Sequence, residues 1–253
     1  KNVYEAALER IAYCFQEFDN VLVAFSGGKD SGVLLNLCYN YADEHGLLDK
    51  LTMYHLDYEA QYQMTTEYVT RTFLEQFPGI RKMWYCVPIK AQSACALGEP
   101  YWTPWDAAKK KLWVRAMPEN PYVVHEGNLD VPFRHGMVDY EFQDKLSRHF
   151  AKKRGTTAVM VGLRADESLN RYAAVARGKK RRSYEGRKWI TQTSAVTANV
   201  YPLYDWRVSD IWTATARFGF DYNRLYDLLY QAGLTAGQMR VASPFNDCAQ
   251  ESL

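Results

Sequence analysis

Cysteine is scarce and unpaired in this sequence. Its 253 residues include five, Cys14, Cys38, Cys86, Cys95 and Cys248, and no two stand at C-x-x-C spacing. That spacing argues against a zinc ribbon, an iron–sulfur cluster or a disulfide framework. Cys14, Cys38 and Cys86 fall in apolar runs, where a thiol acts as a small hydrophobe. Also missing is any run of about 18 apolar residues that could cross a bilayer, and no basic-then-apolar signal segment opens the chain. Both lacks predict a cytoplasmic protein with no membrane partner. A charge excess is lacking too: the formal charge is +2, so only the distribution of charge can point to a polyanion. What remains is ordinary for a globular chain, 47% hydrophobic and 24% charged, and long enough for one large α/β domain. Aromatic residues are plentiful, with 19 Tyr and 7 Trp. They read mainly as core, with some left over for a stacking site or an interface.

Apolar spacing sets out the elements. "VYEAALERIAYCFQEF" aligns Ala7, Leu8, Ile11, Ala12 and Phe15 on one face, predicting an amphipathic helix. "VLVAF" is a continuous apolar run, as in a strand buried on both faces of a parallel sheet. A helix is predicted over Ser31–Tyr41, a second strand over Leu51–Asp57, a helix over Thr65–Phe77 and a third strand in "KMWYCVP". From 90 to about 140 this rhythm fails. Pro100, Pro104, Pro118, Pro121 and Pro132 punctuate the stretch, with Trp102, Trp105 and Trp113 between them. An aromatic-rich insertion is expected there, with a short helix at Ala107–Ala116. "EFQDKLSRHFAKKRG" restores helix and stops it at Gly155. "TAVMVGL" and "ANVYPLYDW" supply a fourth and a fifth strand, and helices follow over Val208–Phe218 and Asn223–Gln231. The expected fold is α/β: a Rossmann-like, doubly wound, mainly parallel sheet. It forms one domain over 1–253, with a helical C-terminal part from about 207. Such sheets bind ligands beyond the carboxyl ends of their strands, at the topological switch point.

The turn after the first strand carries the chemistry. Ser26, Gly27, Gly28, Lys29, Asp30 and Ser31 form "SGGKDS". The glycines let backbone approach a phosphate, and the next helix aims its N–H groups and positive dipole end at it. The two serines can donate hydroxyl hydrogen bonds, and Lys29 adds charge. The G-x-x-x-x-G-K-[ST] spacing of a P-loop is absent, as is G-x-G-x-x-G.

"SGGKDS" resembles the PP-motif of the ATP pyrophosphatases, the adenine nucleotide α-hydrolase superfamily. The resemblance implies a loop that holds the middle of ATP, with cleavage between the α and β phosphates. "VGLRADESLNRYAA" resembles the Gly-x-Arg-x-x-x-Ser-x-x-Arg segment of phosphoadenosine-phosphosulfate (PAPS) reductases, and "YPLYDWRVSDIW" a scaffold segment of the same relatives. The variant "HLDYEAQY", with "SLNRY" and "YDLLYQAGL", is most similar to the subfamily that includes the immunoglobulin-binding regulators. The loop chemistry, the strand-end pair and the resemblance together make Ser26, Gly27, Gly28, Lys29, Asp30, Ser31, His55, Asp57, Gly162, Arg164, Glu167 and Arg171 the candidate nucleotide contacts. Of these, Lys29, Asp30 and Arg164 are the catalytic candidates. Arg164 and Arg171 suit bidentate phosphate pairing. Mg²⁺ is expected on the nucleotide, with Asp30 or Asp57 helping, rather than in a dedicated site.

Two alternatives stay open against an ATP-cleaving or adenylyl-transferring enzyme. A sulfonucleotide reductase needs a nucleophilic cysteine in a Glu-Cys-Gly-x-His segment. Cys248, in "FNDCAQES", has neither that glycine nor that histidine. A nucleotide-sensing regulator would use the basic run at 177–188, where Arg177, Lys179, Lys180, Arg181, Arg182, Arg187 and Lys188 face only Glu185. That run is the candidate contact for a polyanion or a protein partner.

Overall fold

The computed structural model describes residues 1–92, 101–168, 171 and 183–241. Helix α1 (Val3–Glu17) opens on a capping box, Asn2 and Glu5 satisfying each other's backbone N–H groups. Strand β1 (Asn20–Ala24) follows, then α2 (Lys29–Glu44), β2 (Leu51–Leu56), α3 (Gln63–Glu75) and β3 (Arg81–Cys86). The insertion holds a small β4 (Ala91–Gln92) and β5 (Tyr101–Trp102) pair, a 3₁₀ turn at Ala107–Leu112, and β6 (Val123–His125). Then come α4 (Asp139–Arg154), β7 (Thr157–Val161), β8 (Ser183–Tyr184), β9 (Arg187–Gln192), β10 (Thr197–Val200), α5 (Val208–Phe218) and α6 (Leu225–Gln231).

The main sheet has eight strands in the order β6-β3-β2-β1-β7-β10-β9-β8. Pairing is parallel from β6 through β10 and antiparallel for the last two strands. The expected mainly parallel α/β sheet is present. Chain order reverses between β1 and β7, whose register runs from Asn20↔Thr157 to Ala24↔Val161, so both strands end level. That is the switch point where such sheets leave a crevice.

Strand alternation divides the core. Val21 and Val23 of β1 point into the larger cluster with Ile11, Phe15, Leu34, Leu35, Phe73 and Ile211. Leu22 points the other way, toward Tyr54, Leu56, Phe142, Leu146 and Val159. Helices α1, α2, α3 and α5 therefore cover one face, and α4 covers the other.

Two segments differ from expectation. Residues Ala107–Leu112 form a 3₁₀ turn rather than the front of a helix reaching Ala116. The cause is tertiary: the backbone N–H groups of Trp105 and Val114 donate to the Glu59 carboxylate at 2.7 and 2.8 Å, which draws them away from helical partners. Within the expected basic loop, residues 183–192 form a hairpin. Its turn, Glu185–Gly186, has φ of 49° and 75°, the left-handed pair that suits a two-residue hairpin. The more basic part of that run, Arg177 to Arg182, lies outside the described residues, as does Cys248. No helix among the described residues is long and apolar enough to cross a membrane.

Candidate functional site

The turn leaving β1 is built by contacts its glycines permit. Gly27 has φ +78°, and a Cβ there would lie 2.9 Å from Val69 Cγ2 of α3. Its role is the turn and the approach of α3. Gly28 caps α2 and has ordinary space around it, a Cβ standing 3.4 Å from Ser26 Oγ and 3.5 Å from the Tyr226 hydroxyl. Ser31 Oγ accepts from Ser26 N at 3.1 Å and donates to Gly28 O at 3.1 Å, which stitches the loop to the first turn of α2. Gly162, just past β7, lies directly against the backbone of α2. A Cβ would sit 2.9 Å from Ser31 N and 3.0 Å from the Asp30 carbonyl carbon, so a side chain there would push into α2 backbone.

Charges are stacked behind this loop. Arg164 is only 3% exposed, and its Nε donates to Asp30 Oδ1. Asp30 Oδ2 also lies 3.4 Å from Lys29 Nζ. Lys29 is itself buried, its ammonium donating to Met239 O at 3.2 Å and lying 5.1 Å from the centroid of the Tyr226 ring. Glu167 meets Arg171 at 2.5 Å and Arg240 at 3.8 Å. A cavity of about 310 Å³ opens above, bounded by the loop, by Tyr54, Leu56 and Tyr58, and by Gln143, Gly162, Glu167, Arg171, Tyr226 and Arg240.

The structure brings most of the sequence candidates to one place. Ser26, Gly28, Lys29, Asp30, Ser31, Gly162, Glu167 and Arg171 all line the cavity. Gly27 faces α3 instead, and Arg164 supports Asp30 from behind. His55 and Asp57 do not line it. The reason is the period of two along β2: Tyr54, Leu56 and Tyr58 present one face to the cavity, while His55 and Asp57 enter the opposite core. His55 Nδ1 lies 2.8 Å from Phe25 O, and burial holds its pKa below the usual imidazole value despite the opposing pull of Asp57. Asp57 accepts from Trp84 Nε1 at 2.7 Å, Arg115 Nη2 at 2.5 Å and Glu59 N at 2.8 Å. Its carboxylate is occupied by β3, by the turn that follows β2 and by Arg115 of the insertion, and it faces away from the cavity. Among the described residues no three His, Cys, Asp or Glu gather as a metal site.

Sequence reasoning missed Tyr226, Gln143, Tyr54, Tyr58 and Arg240. The alternation of β2 could have found Tyr54 and Tyr58. Tyr226 and Arg240 come from a C-terminal segment whose return over the loop leaves no local signal. A larger cavity of about 640 Å³ lies between α3 and the insertion, lined by Gln61, Thr66, Arg71 and Arg115 among others. It includes the start of α3 at Gln63 but no glycine turn and none of the residues of "SGGKDS", so the smaller one is the candidate site.

The model of the phosphoadenosine phosphosulfate reductase domain matches residues 20–232. The chain belongs to that family. A curated relative, the uncharacterized protein YbdN of Escherichia coli K12, is 34% identical over 255 residues, covering all of this family member and 61% of YbdN. The chain thus spans about six-tenths of the curated relative it matches. Among solved structures, Candida glabrata FMN adenylyltransferase with FAD and inorganic pyrophosphate aligns at a TM-score of 0.50 and 15% identity, over 88% of this chain and 60% of that one. The phosphate complex of Candida auris PAPS reductase aligns at 0.47 and 15% identity, over 88% and 84%. The fold of this PAPS reductase-family chain is the expected PP-loop one.

Proposed function

We propose that this chain binds ATP or a related adenine nucleotide and acts at the α phosphate, by hydrolysis or by adenylyl transfer to an acceptor. The reading takes residues 1–253 as one PP-loop domain. The observation that carries it is the anion cradle at the β1/β7 switch point: a glycine turn, the N-terminus of α2, Ser26 and Ser31, and Lys29 converge on one cavity. Backbone N–H groups at a helix start favour negative charge, and a cation beside them adds to the effect. An oxygen nucleophile attacking the α phosphorus would break its bond to the bridging oxygen and release pyrophosphate. Lys29 and the α2 amides would meet the charge that develops on that leaving group. Arg164 holds Asp30 in place and so acts on the site through it. Mg²⁺, when bound on the phosphates, neutralises their charge, and Asp30 is the candidate carboxylate at the cavity to share its shell.

A reductase mechanism gains no support among the described cysteines. Cys14, Cys38 and Cys86 are buried, and burial pushes each thiol well above its ordinary pKa, away from the reactive thiolate. The test is incubation with ATP labelled at the α phosphate, with Mg²⁺, and separation of the products. Pyrophosphate with AMP, or with an adenylylated acceptor, is the expected outcome. ADP and orthophosphate would overturn the assignment to the α phosphate. Failure of any adenine nucleotide to bind would overturn the reading as a whole.

A further inference from the structure

Tyr226 stands at the phosphate loop with half of its hydrogen-bonding capacity spoken for. The backbone N–H of Lys29, at the start of α2, donates to its phenol oxygen at 3.2 Å. The phenol oxygen is therefore an acceptor, and its own hydrogen has no acceptor among the described residues. The ring is fixed on several sides. It is 3% exposed, meets the edge of Trp212 at 5.2 Å between centroids, and lies 5.1 Å from Lys29 Nζ. The segment carrying it is pinned to the loop by Asn223, whose amide donates to Gly27 O at 3.2 Å and to Thr65 Oγ1 at 2.8 Å. Burial raises the phenol pKa well above its ordinary value, so the hydroxyl keeps its proton.

We propose that Tyr226 is part of the anion-binding shell of the PP-loop, its O–H donating to a phosphate oxygen of the bound nucleotide. A phosphate seated at the α2 N-terminus comes within reach of this hydroxyl, because a Cβ on Gly28 would already be 3.5 Å from it. The phenol then extends the row of donors made by the serines and the α2 amides. This places a ligand contact on the far C-terminal segment, so the loop grips phosphate fully only when residues 223–241 are seated. The inference rests on the nucleotide reading above.

The test compares native protein with Tyr226→Phe, which keeps the ring and its packing, by calorimetric titration with pyrophosphate, a non-hydrolysable ATP analogue and adenosine. Pyrophosphate and the analogue should bind about ten-fold or more weakly to the variant, the size of one hydrogen bond to a charged group, and adenosine should be unchanged. Unchanged phosphate affinity overturns the proposal, and so does tighter binding, which would mean that the hydroxyl blocks the Lys29 amide. An equal loss for adenosine also overturns it, as that reports a collapsed cavity. If native protein binds neither pyrophosphate nor the analogue, the nucleotide reading itself has failed. Should the Phe variant not fold, 3-fluorotyrosine placed at 226 alone supplies a more acidic donor. Pyrophosphate should then bind more tightly, and no gain would refute the contact.

Discussion

At the residue scale, the Arg164–Asp30 pair is the most exacting contact in the site. Arg164 is buried, and removing it leaves Asp30 with only Lys29 in partial compensation. Breaking a buried pair from one side typically costs about 3–5 kcal/mol, mostly through the charge left behind. Arg164→Ala should therefore lose about 3 kcal/mol in urea unfolding and weaken nucleotide binding. Adding Asp30→Ala should recover part of the stability but none of the binding, and strict additivity of the two changes would contradict the pairing. The glycines divide their tasks in a testable way. Gly162→Ala must push α2 backbone at 2.9–3.0 Å, so a stability loss of about 1–3 kcal/mol is expected. Gly28→Val, whose first carbon would meet only ordinary van der Waals contacts, should stay folded yet lose nucleotide, because its methyl groups fill the phosphate cradle. Similar melting temperatures for native protein and Gly162→Ala would refute the first claim, and unchanged ATP affinity in Gly28→Val the second.

At the element scale, the insertion is fastened to the end of β2 by two buried carboxylates. Glu59 accepts the Trp105 and Val114 amides, while Asp57 accepts Arg115, and Trp105 Nε1 reaches Asp57 O at 2.8 Å. Glu59 holds φ +64° to make these bonds, and burial raises its pKa while the two amides oppose that shift. Glu59→Ala should release the insertion while the sheet persists. Limited proteolysis should then cut faster between about residues 103 and 117, with little change in far-ultraviolet circular dichroism. A native-like cleavage rate would show that the latch is not what holds the segment. Here the sequence was only partly legible. Tryptophans and prolines marked out an insertion, but its 3₁₀ turn was invisible, because the partner that stops the helix, Glu59, lies some 50 residues upstream, just past β2.

For the whole molecule, the buried His55 ties stability to pH. It packs against Phe25, Phe73 and Trp84, with Asp57, Gln61 and Arg115 as its polar surroundings. Its folded pKa lies below the usual value of about 6.5, so the unfolded chain takes the proton first as pH falls. The stability linked to this group is complete above about pH 6.5 and is lost as pH drops through the range below it. His55→Gln removes that titration. The stability gap between native protein and the variant should narrow from pH 7 to pH 5 in urea unfolding. A constant or widening gap would show that His55 is not the group responsible.

Sequence by itself determined the sheet and the chemistry of the turn. A short continuous apolar run such as "VLVAF" between turn signals suits a strand covered on both faces, and "SGGKDS" directly after it places two glycines, two hydroxyls and a cation at the start of a helix. Those are local properties, set by side-chain period and by residues adjacent in the chain. Tertiary structure alone decided which face of β2 lines the cavity. Alternation says that His55 and Asp57 share a face, but only packing against Trp84, Arg115 and α3 shows that this face is the core. It alone also brought Tyr226 and Arg240 over the loop, 197 and 211 residues from Lys29 along the chain. No periodicity encodes such a contact, because closing so long a loop depends on where the intervening sheet and helices deliver its ends.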